Sequence, residues 1–325
     1  MRYLITGGAG FIGSHLCEAL LKKGEEVTVL DNFSTSSPDN LDHLKDYKNL
    51  TVIELDVVKS GPEVEEYIKN SDRVIHLAAA VGVELVVNDP VRTITTNVEG
   101  TQNVLLPCAK YNKRVIIAST SEVYGKSTND KFSEHDDLLI GSPFNSRWSY
   151  ACSKLLDEFY LMAYHRSTNL PGTVVRFFNT VGPRQTGRYG MVVPRFVEKA
   201  LLGKPLQVYG DGGQSRCFCH VHDVVKALLL LVDNVDSYGR IFNIGSQNLI
   251  TIKELAEAVI AQTNSSSSIE YVPYENAYAA GFEDMRRRCP DVQEINNLCQ
   301  WRAQLTLKDI INDVACDLKA KLNLK

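Results

Sequence analysis

A glycine-rich turn near the N-terminus constrains this chain more than any other feature. Residues 7–13 read Gly-Gly-Ala-Gly-Phe-Ile-Gly, directly after the strand-like Tyr3–Thr6 and directly before a segment with helical spacing of apolar residues. Gly7 permits a tight turn, Gly10 removes a side chain where a diphosphate would approach, and Gly13 lets the helix pack closely on the strand. The N-terminus of that helix offers unpaired N–H groups to phosphate oxygens. The strand–turn–helix context therefore predicts a dinucleotide-binding unit.

Strand-like and helix-like segments alternate through the first half of the chain. Runs of β-branched residues are followed by segments in which apolar residues recur every three or four positions. This alternation predicts a Rossmann-type, doubly wound α/β fold, in which helices cover both faces of a parallel sheet. The expected strands are Tyr3–Thr6, Glu26–Leu30, Leu50–Glu54, Arg73–Leu77, Arg114–Ala118 and Gly172–Phe177, and helices are expected after Phe11, Val64, Val91 and Ser149.

The second half is less regular and predicts a smaller C-terminal α/β lobe that would hold the substrate. Three prolines and the turn at 210–213 interrupt it. Residues 216–221 alternate as a strand does and lead into a helix at Val221. We therefore expect a dinucleotide-binding domain of residues 1–179 plus 217–244, and a substrate domain of residues 180–216 plus 245–325.

Asp31 follows the second expected strand and indicates which dinucleotide binds. A carboxylate at this point accepts hydrogen bonds from an adenosine ribose and repels a 2′-phosphate, which favours NAD over NADP. The alternative is that Asp31 caps a turn. Other cofactor contacts are expected at the carboxyl ends of the parallel strands, where open α/β sheets bind ligands. The expected NAD-binding residues are Gly7, Gly10, Phe11, Ile12, Gly13, Asp31, Asn32, Asp56, Val57, Leu77, Ala78 and Ala79, together with Tyr150 and Lys154.

The charge balance and the hydropathy argue against two classes of partner. The 325 residues carry a net charge of −4, and no broad basic field is available for nucleic acid or an anionic membrane surface. No apolar run reaches the length needed to cross a bilayer. The chain enters its glycine turn at once, which leaves no room for a signal peptide ahead of it. We therefore expect a cytoplasmic protein without a nucleic-acid or membrane partner.

The cysteines raise the question of a metal site. Eight cysteines are scattered along the chain, and their spacing is typical of reduced thiols in a cytosolic protein. Residues 217–222 read Cys-Phe-Cys-His-Val-His, which places four potential ligands together. Structural zinc sites draw two ligand pairs from separate turns, and no second pair follows at suitable spacing. We expect no metal site here.

Tyr150 and Lys154 provide a candidate for proton transfer. Four residues apart on a helix, the phenol and the ammonium share one face. A nearby lysine favours the phenolate, lowers the pKa of the tyrosine and makes it a usable general base. The strand ending at Ala118 is followed by Ser-Thr-Ser-Glu at 119–122, which supplies a hydroxyl. Base, orienter and donor would then surround one carbinol group.

These motifs resemble the extended short-chain dehydrogenase/reductase family, whose NAD-dependent epimerases, dehydratases and decarboxylases act on nucleotide sugars. The similarity is carried by residues 6–13, by Ser-Thr-Ser-Glu-Val-Tyr-Gly at 119–125, by Tyr-x-x-x-Lys at 150–154 and by Phe-Asn-Thr-Val-Gly-Pro-Arg at 178–184. It implies a nucleotide-sugar substrate and a catalytic triad of Thr120, Tyr150 and Lys154. It further implies catalytic roles for Ser121, Glu122 and Arg288, and substrate contacts at Asn179, Arg184, Val208, Arg216 and Arg288.

The reaction implied by the resemblance begins with transient oxidation of the sugar at C4. A 4-ketone permits epimerisation, loss of water, or loss of carbon dioxide from a uronic acid. Glu122 discriminates among these, since the 4-epimerases carry a small or neutral residue there. Thr-Ser-Glu at 120–122 together with NAD is similar to the UDP-glucuronate decarboxylases, as are Arg147-Trp148-x-Tyr150 and Gly281-Phe282-Glu283-Asp284-x-x-x-Arg288.

Three other functions remain open at this point. A nucleotide-sugar 4-epimerase and a 4,6-dehydratase share the C4 oxidation, and a non-catalytic NAD(P) sensor shares the fold. A sensor would have lost the tyrosine or the lysine, and both are present. The resemblance also implies a homodimer, in which helices around 91–109 and 149–165 pair with their copies as a four-helix bundle.

Overall fold

A seven-stranded parallel sheet forms the centre of the larger lobe, as the alternation of segments predicts. The computed structural model describes residues 1–187, 191–273 and 286–324. Seven strands build the sheet: β1 Arg2–Thr6, β2 Glu26–Asp31, β3 Leu50–Glu54, β4 Arg73–His76, β5 Arg114–Thr120, β6 Gly172–Phe177 and β11 Arg240–Ile244. They lie in the order β3-β2-β1-β4-β5-β6-β11, and every neighbouring pair is parallel. The direction of winding reverses between β1 and β4, which is where such sheets bind ligands.

Helices cover both faces of this sheet, so the predicted doubly wound fold is confirmed. The helices are α1 Phe11–Lys22, α2 Gly61–Asn70, α3 Val83–Asn88, α4 Pro90–Lys110, α5 Trp148–Thr168 and α7 Val221–Val232. On one face α1 and α7 bury Leu16 and Leu228 in one core. On the other face α2, α4 and α5 bury Val64, Val104 and Leu161 in a second core. Each such side chain contributes about 1.5–3 kcal/mol relative to exposure.

The smaller lobe packs three helices around short strands. The helices are α6 Val192–Leu201, α8 Ile252–Gln262 and α10 Leu307–Lys321, and a shorter helix, α9 Gln293–Cys299, packs on the larger lobe instead. The strands are β7 Thr180–Val181, β8 Leu206–Tyr209, β9 Ser215–Cys217, β10 Cys219–His220, β12 Leu249–Thr251, β13 Ile269–Val272 and β14 Arg287–Arg288. They pair as β10-β7, β12-β9-β14 and β13-β8. Phe196, Leu255 and Ile311 lie in the core that these elements share.

The chain passes between the lobes once more than the sequence indicates. Residues 245–325 were expected to belong wholly to the substrate lobe. Ile295 of α9 and Trp301 instead lie in the core of the larger lobe, where the Trp301 indole Nε1 donates to the Asp223 carbonyl oxygen at 3.0 Å. The expected strand at 216–221 is also divided, because β9 pairs with β12 and β14 whereas β10 pairs with β7.

The two longest helices, α4 and α5, pack against each other and keep apolar side chains on their outer surface. Val91 is 74% exposed and Phe159 is 61% exposed, and Ile94, Leu106 and Leu156 are exposed as well. These five exposed apolar side chains all belong to the same pair of helices. Neither these nor any other helix in the described ranges combines the length and apolar character that a membrane span requires.

Candidate active site

The glycine turn between β1 and α1 forms the floor of a cavity. Gly7 has a φ of +70°, and a Cβ there would lie 2.7 Å from the backbone nitrogen of Ala78. A Cβ on Gly13 would collide with the carbonyl oxygen of Gly7. Gly10 differs, since its nearest neighbour would be that same carbonyl oxygen, at 3.1 Å. Gly7 and Gly13 thus permit the backbone packing, and Gly10 leaves the cavity side of the turn open.

Asp31 at the end of β2 holds this turn in place while lining the cavity. Its carboxylate accepts from the Ala9 backbone N–H at 3.0 Å, from the Phe33 N–H at 2.9 Å and from the Ser36 hydroxyl at 2.8 Å. The side chain therefore has the turn-capping role that the sequence left open. It also lies on the cavity wall, so the two interpretations are compatible.

Two cavities meet at the carboxyl ends of the sheet strands. The first, of about 270 Å³, is lined by every residue expected to bind NAD, from Gly7 at the turn to Lys154 on α5. The second, of about 390 Å³, extends toward the smaller lobe and is lined by six of the expected catalytic and substrate residues besides Tyr150. Thr120 and Tyr150 line both cavities. A reacting group held between a cofactor and a substrate would lie beside these two side chains. The six expected residues that line the second cavity besides Tyr150 are Thr120, Ser121, Glu122, Asn179, Arg216 and Arg288.

Thr120 and Tyr150 form the centre of the site. Thr120 is the last residue of β5, and its hydroxyl lies near the Tyr150 phenol. Burial raises the pKa of Tyr150, the Thr120 hydroxyl offsets only part of this, and the negative charges of Glu122 and Asp157 raise it further. The described residues therefore leave the pKa of this phenol above its ordinary value.

Lys154 is paired with a carboxylate of its own helix. Its ammonium lies 2.6 Å from Oδ2 of Asp157 on the next turn of α5, and both side chains are buried. Its charge is therefore largely balanced by a carboxylate, which explains why the expected lowering of the Tyr150 pKa is not seen. The local sequence Lys-Leu-Leu-Asp contains the signal for this pair, because residues three apart on a helix are neighbours.

Glu122 lies between two arginines at the substrate end of the site. Its Oε1 is 2.6 Å from Nη1 of Arg288, and its Oε2 is 3.2 Å from Nη2 of Arg147. Burial would raise the pKa of the Glu122 carboxyl, but the charges and hydrogen bonds of Arg288 and Arg147 lower it to about 2. The Arg288 Nη1 also donates to the Ser121 hydroxyl at 3.4 Å. Among the described residues, two guanidinium groups thus share this one carboxylate.

The expected substrate residues divide into two groups. Arg216 on β9 lies beside Arg288 on β14 in the parallel register, and the Asn179 amide donates to the Cys217 carbonyl oxygen at 3.1 Å. Asn179, Arg216 and Arg288 line the larger cavity. Arg184 and Val208 do not line either cavity.

Arg184 and Val208 lie elsewhere for separate reasons. The Arg184 guanidinium is 2.6 Å from the Glu18 carboxylate and 2.7 Å from Nδ1 of His15, which ties the loop after β7 to α1. Val208 is fully buried among the helices of the smaller lobe. Its strand neighbours Gln207 and Tyr209 line the cavity instead, because successive side chains of a strand point to opposite faces.

The sequence indicates Arg147 only as part of a motif, and it carries no signal for four other polar residues of the larger cavity, Gln185, Arg195, Gln207 and Tyr209. Arg147 precedes α5 and contacts Glu122, and Tyr209 accepts from Arg195 at 2.9 Å. The side-chain oxygens of Gln185 and Gln214 are buried without a hydrogen-bond partner among the described residues. The motif residues Gly281 to Asp284 lie outside the described residues, so only their Arg288 is placed.

The segment of residues 217–222, which contains His220 and His222, lies next to a third candidate metal ligand from another part of the chain. Asp313 of α10 lies close to His220 and His222, with 3.1 Å between its Oδ2 and Nε2 of His220. Nδ1 of His220 accepts the backbone N–H of His222 at the start of α7, so Nε2 carries the proton and donates to Asp313. A metal ion at Nε2 would move the proton of the neutral imidazole to Nδ1. Nδ1 could then no longer accept the His222 N–H that caps α7. The absence of a metal site stays a prediction.

Comparison with known proteins assigns the chain to a family. Residues 3–245 match the model of the NAD dependent epimerase/dehydratase family, and the chain belongs to that family. It is 44% identical to a UDP-N-acetyl-alpha-D-glucosaminuronate decarboxylase of Bacillus cytotoxicus, over 94% of each chain. It is 34% identical to UDP-glucuronic acid decarboxylase 1 of Arabidopsis thaliana, over 99% of this chain and 71% of that one.

A solved structure extends the comparison to the whole fold. The UDP-glucuronic acid 4-epimerase of Bacillus cereus, in complex with UDP-glucuronic acid and NAD, superimposes with a TM-score of 0.88 at 26% identity and covers 99% of this chain and all of that one. The protein is therefore an NAD-dependent enzyme of this family, and the expected cofactor is confirmed. The open side of the turn at Gly10 and the carboxylate of Asp31 fit a dinucleotide diphosphate and its ribose.

Proposed function

We propose that this enzyme decarboxylates a UDP-activated uronic acid after transient oxidation at C4. The observation that carries the proposal is that Arg147 and Arg288 both contact Glu122 on the wall of the cavity that Thr120 and Tyr150 also line. A uronic acid brings a carboxylate at C6, two bonds from the carbon that is oxidised. Guanidinium groups bind carboxylates through paired hydrogen bonds. Relatives of the chain that are named for UDP-uronate decarboxylation support the same reaction.

Tyr150 is the group that moves the proton at the sugar. The residues lining the smaller cavity would hold NAD, which supplies a hydride acceptor for C4 and returns the hydride later. Tyr150 acts as a phenolate and takes the proton of the C4 hydroxyl. Thr120 lies beside the phenol and keeps it in position. The pKa of Tyr150 is raised in the chain alone, so a cationic neighbour is needed. Lys154 lines the same cavity and is the residue that can supply this charge once it turns from Asp157.

Glu122 and the arginines act on the carboxylate that leaves. Once C4 is a ketone, the C6 carboxylate is β to a carbonyl, and carbon dioxide departs while its bonding electrons pass to the C4 oxygen. Because Arg147 and Arg288 also bind Glu122, they hold the substrate carboxylate without binding it as strongly as free cations would. Strong ground-state binding of that charge would oppose its release as neutral carbon dioxide. Glu122 is thus a competitor for the arginines rather than a proton donor, since its pKa is about 2.

Product mass tests the proposal directly. The purified enzyme with NAD is offered UDP-glucuronate, UDP-N-acetylglucosaminuronate and UDP-glucose in separate reactions. We expect loss of carbon dioxide from a uronate and no change in mass of UDP-glucose. A product of unchanged mass but altered stereochemistry would make the enzyme a 4-epimerase, and loss of water would make it a dehydratase. Turnover of one uronate but not the other identifies the group required at C2.

We further propose that the enzyme is a homodimer that pairs α4 and α5 with their copies. The exposed Val91, Ile94, Leu106, Leu156 and Phe159 support this surface. Light scattering after gel filtration should give twice the mass of one chain. Phe159→Glu should shift it toward the monomer, whereas Leu230→Glu on the distant α7 should not. The cytoplasmic location expected from the sequence stays a prediction.

A further inference from the structure

Two buried cysteines lie side by side where the strands of the substrate site meet. β14 pairs in parallel with β9, and the register places Arg288 beside Arg216. Cys217 and Cys289 each follow one of these arginines by one residue, so the same register brings them next to each other. Neighbouring strands are separated by about 4.8 Å, which lies within the Cα separation that a disulfide requires. Cys217 is 1% exposed and Cys289 is 2% exposed.

The two thiols interact and are chemically unequal. The interaction with Cys217 lowers the pKa of Cys289, burial opposes this, and the positive charges of Lys131 and Arg287 lower it further. The same interaction raises the pKa of Cys217, and burial adds to this. Cys289 is therefore the more readily ionised member and Cys217 the one that remains a thiol. A pair of redox cysteines needs this inequality, because one thiolate attacks the oxidant and the other thiol resolves the product.

We propose that Cys217 and Cys289 are a redox-modification site, at which a peroxide converts the dithiol into a disulfide beside the substrate arginines. The Cys289 thiolate attacks hydrogen peroxide, forms a sulfenic acid and releases hydroxide. The Cys217 thiol then attacks that sulfur, which closes the disulfide and expels water. The two thiols lose two electrons, the peroxide gains them, and a small thiol reductant reverses the change. Disulfides in a reducing compartment are transient and serve this kind of sensing.

The disulfide would act on the site through Arg216 and Arg288. A disulfide holds its sulfurs about 2.05 Å apart, which is closer than two thiols in contact, so the strand ends must move together. Both arginines line the substrate cavity, and Arg288 is bonded to Glu122. A displacement of about 1 Å can cost up to 10²-fold in rate, and we expect roughly a tenfold loss of turnover. The NAD cavity is lined by neither arginine nor either cysteine, so NAD affinity should not change.

Peptide mapping of the oxidised holoenzyme tests the chemistry without any substrate. The enzyme is treated with hydrogen peroxide and denatured in the presence of an alkylating reagent that blocks the remaining free thiols. It is then digested with trypsin. The two cysteines fall in the peptides 217–226 and 289–302, which also contain Cys219 and Cys299. Fragment spectra must therefore locate the link. We expect Cys217 joined to Cys289, and a link to Cys219 or Cys299 would overturn the proposal.

Paired variants connect the link to turnover. Cys217→Ser and Cys289→Ser should each abolish the link and protect turnover from peroxide, with unchanged circular dichroism. Cys152→Ser and Cys316→Ser, which alter exposed thiols, should leave both the link and the inactivation in place. A link that forms without loss of turnover, or no link when Cys152 and Cys316 are fully oxidised, would overturn the proposal. The map decides the chemistry even if no UDP-uronate is turned over, so it is independent of the proposed function.

Discussion

The cofactor end and the substrate end of the site are built in opposite ways. At the cofactor end a short glycine turn and one carboxylate, Asp31, work mainly through backbone groups and the absence of side chains. At the substrate end the charged side chains of Glu122, Arg147 and Arg288 come from three separate parts of the chain and pair with one another. The comparison teaches that binding a common cofactor needs local geometry, whereas selecting a substrate needs charges that only the fold assembles.

Tyr150 belongs to both ends, and its removal should have the largest effect. Tyr150→Phe deletes the proton-transferring oxygen, and loss of a general base costs roughly 10²–10⁴ in rate. NAD should remain bound, because the glycine turn and Asp31 are untouched. Rate measurements with fluorescence titration of NAD check both statements. Tyr67→Phe, on the buried side of α2, is the matched control, and near-normal turnover of the Tyr150 variant would place the chemistry elsewhere.

Glu122→Gln should separate C4 oxidation from the later step. The variant removes the charge that competes for Arg147 and Arg288, so the substrate carboxylate is bound more firmly in the ground state and its loss slows, by roughly tenfold for each ~1.4 kcal/mol of added binding. Oxidation at C4 precedes this step and should continue. Stopped-flow absorbance should therefore show reduced cofactor accumulating on the enzyme.

The pH dependence of this variant sharpens the comparison. The folded pKa of Glu122, about 2, is below its usual value of 4.5, so its ion pairs contribute stability above pH 4.5 and lose it as the pH falls toward 2. Glu122 is thus fully charged between pH 5 and 9. The ratio of the turnover rates of the unaltered enzyme and of Glu122→Gln should therefore be constant over this range. Glu63→Gln on the surface is the control. Unchanged turnover without accumulation would indicate a simple 4-epimerase.

The choice between NAD and NADP tests the cofactor end, with an intermediate effect. A 2′-phosphate near Asp31 should cost ~1–3 kcal/mol through repulsion and a lost hydrogen bond, which corresponds to roughly 5–150-fold in affinity. Calorimetric titration of both dinucleotides measures it. Asp31→Asn should narrow the difference, whereas Asp42→Asn should not. Equal affinities of the unaltered enzyme for NAD and NADP would show that Asp31 does not contact the ribose.

Arg184→Ala should have the smallest effect and decides between two roles. If Arg184 binds substrate, the variant raises KM. Its bond to the partly exposed Glu18 predicts instead an unchanged KM and a loss of about 1 kcal/mol in the free energy of unfolding, since ion pairs that water reaches contribute little. Denaturant unfolding and steady-state rates measure the two quantities. Arg166→Ala, at the exposed end of α5, is the control.

The fold and the cofactor end were predictable because their signals are local. Hydrophobic periodicity acts between residues a few positions apart, so all six expected strands are present, within two residues of their predicted ends. The glycine turn and Asp31 adjoin strands whose carboxyl ends meet at one edge of a parallel sheet, and the predicted NAD residues accordingly line one cavity. The Tyr150–Lys154 spacing was recognised for the same reason.

What only the tertiary structure decided are the partners of the charged groups. Asp157 balances Lys154, Arg147 shares Glu122 with Arg288, and Arg184 turns to Glu18 rather than to the substrate cavity. No periodicity links such residues along the chain, because an ion pair depends on distance in space and on burial, both of which follow from packing. The pKa of Tyr150 therefore differs from its sequence expectation, and Cys217 and Cys289 become neighbours only because β14 lies beside β9.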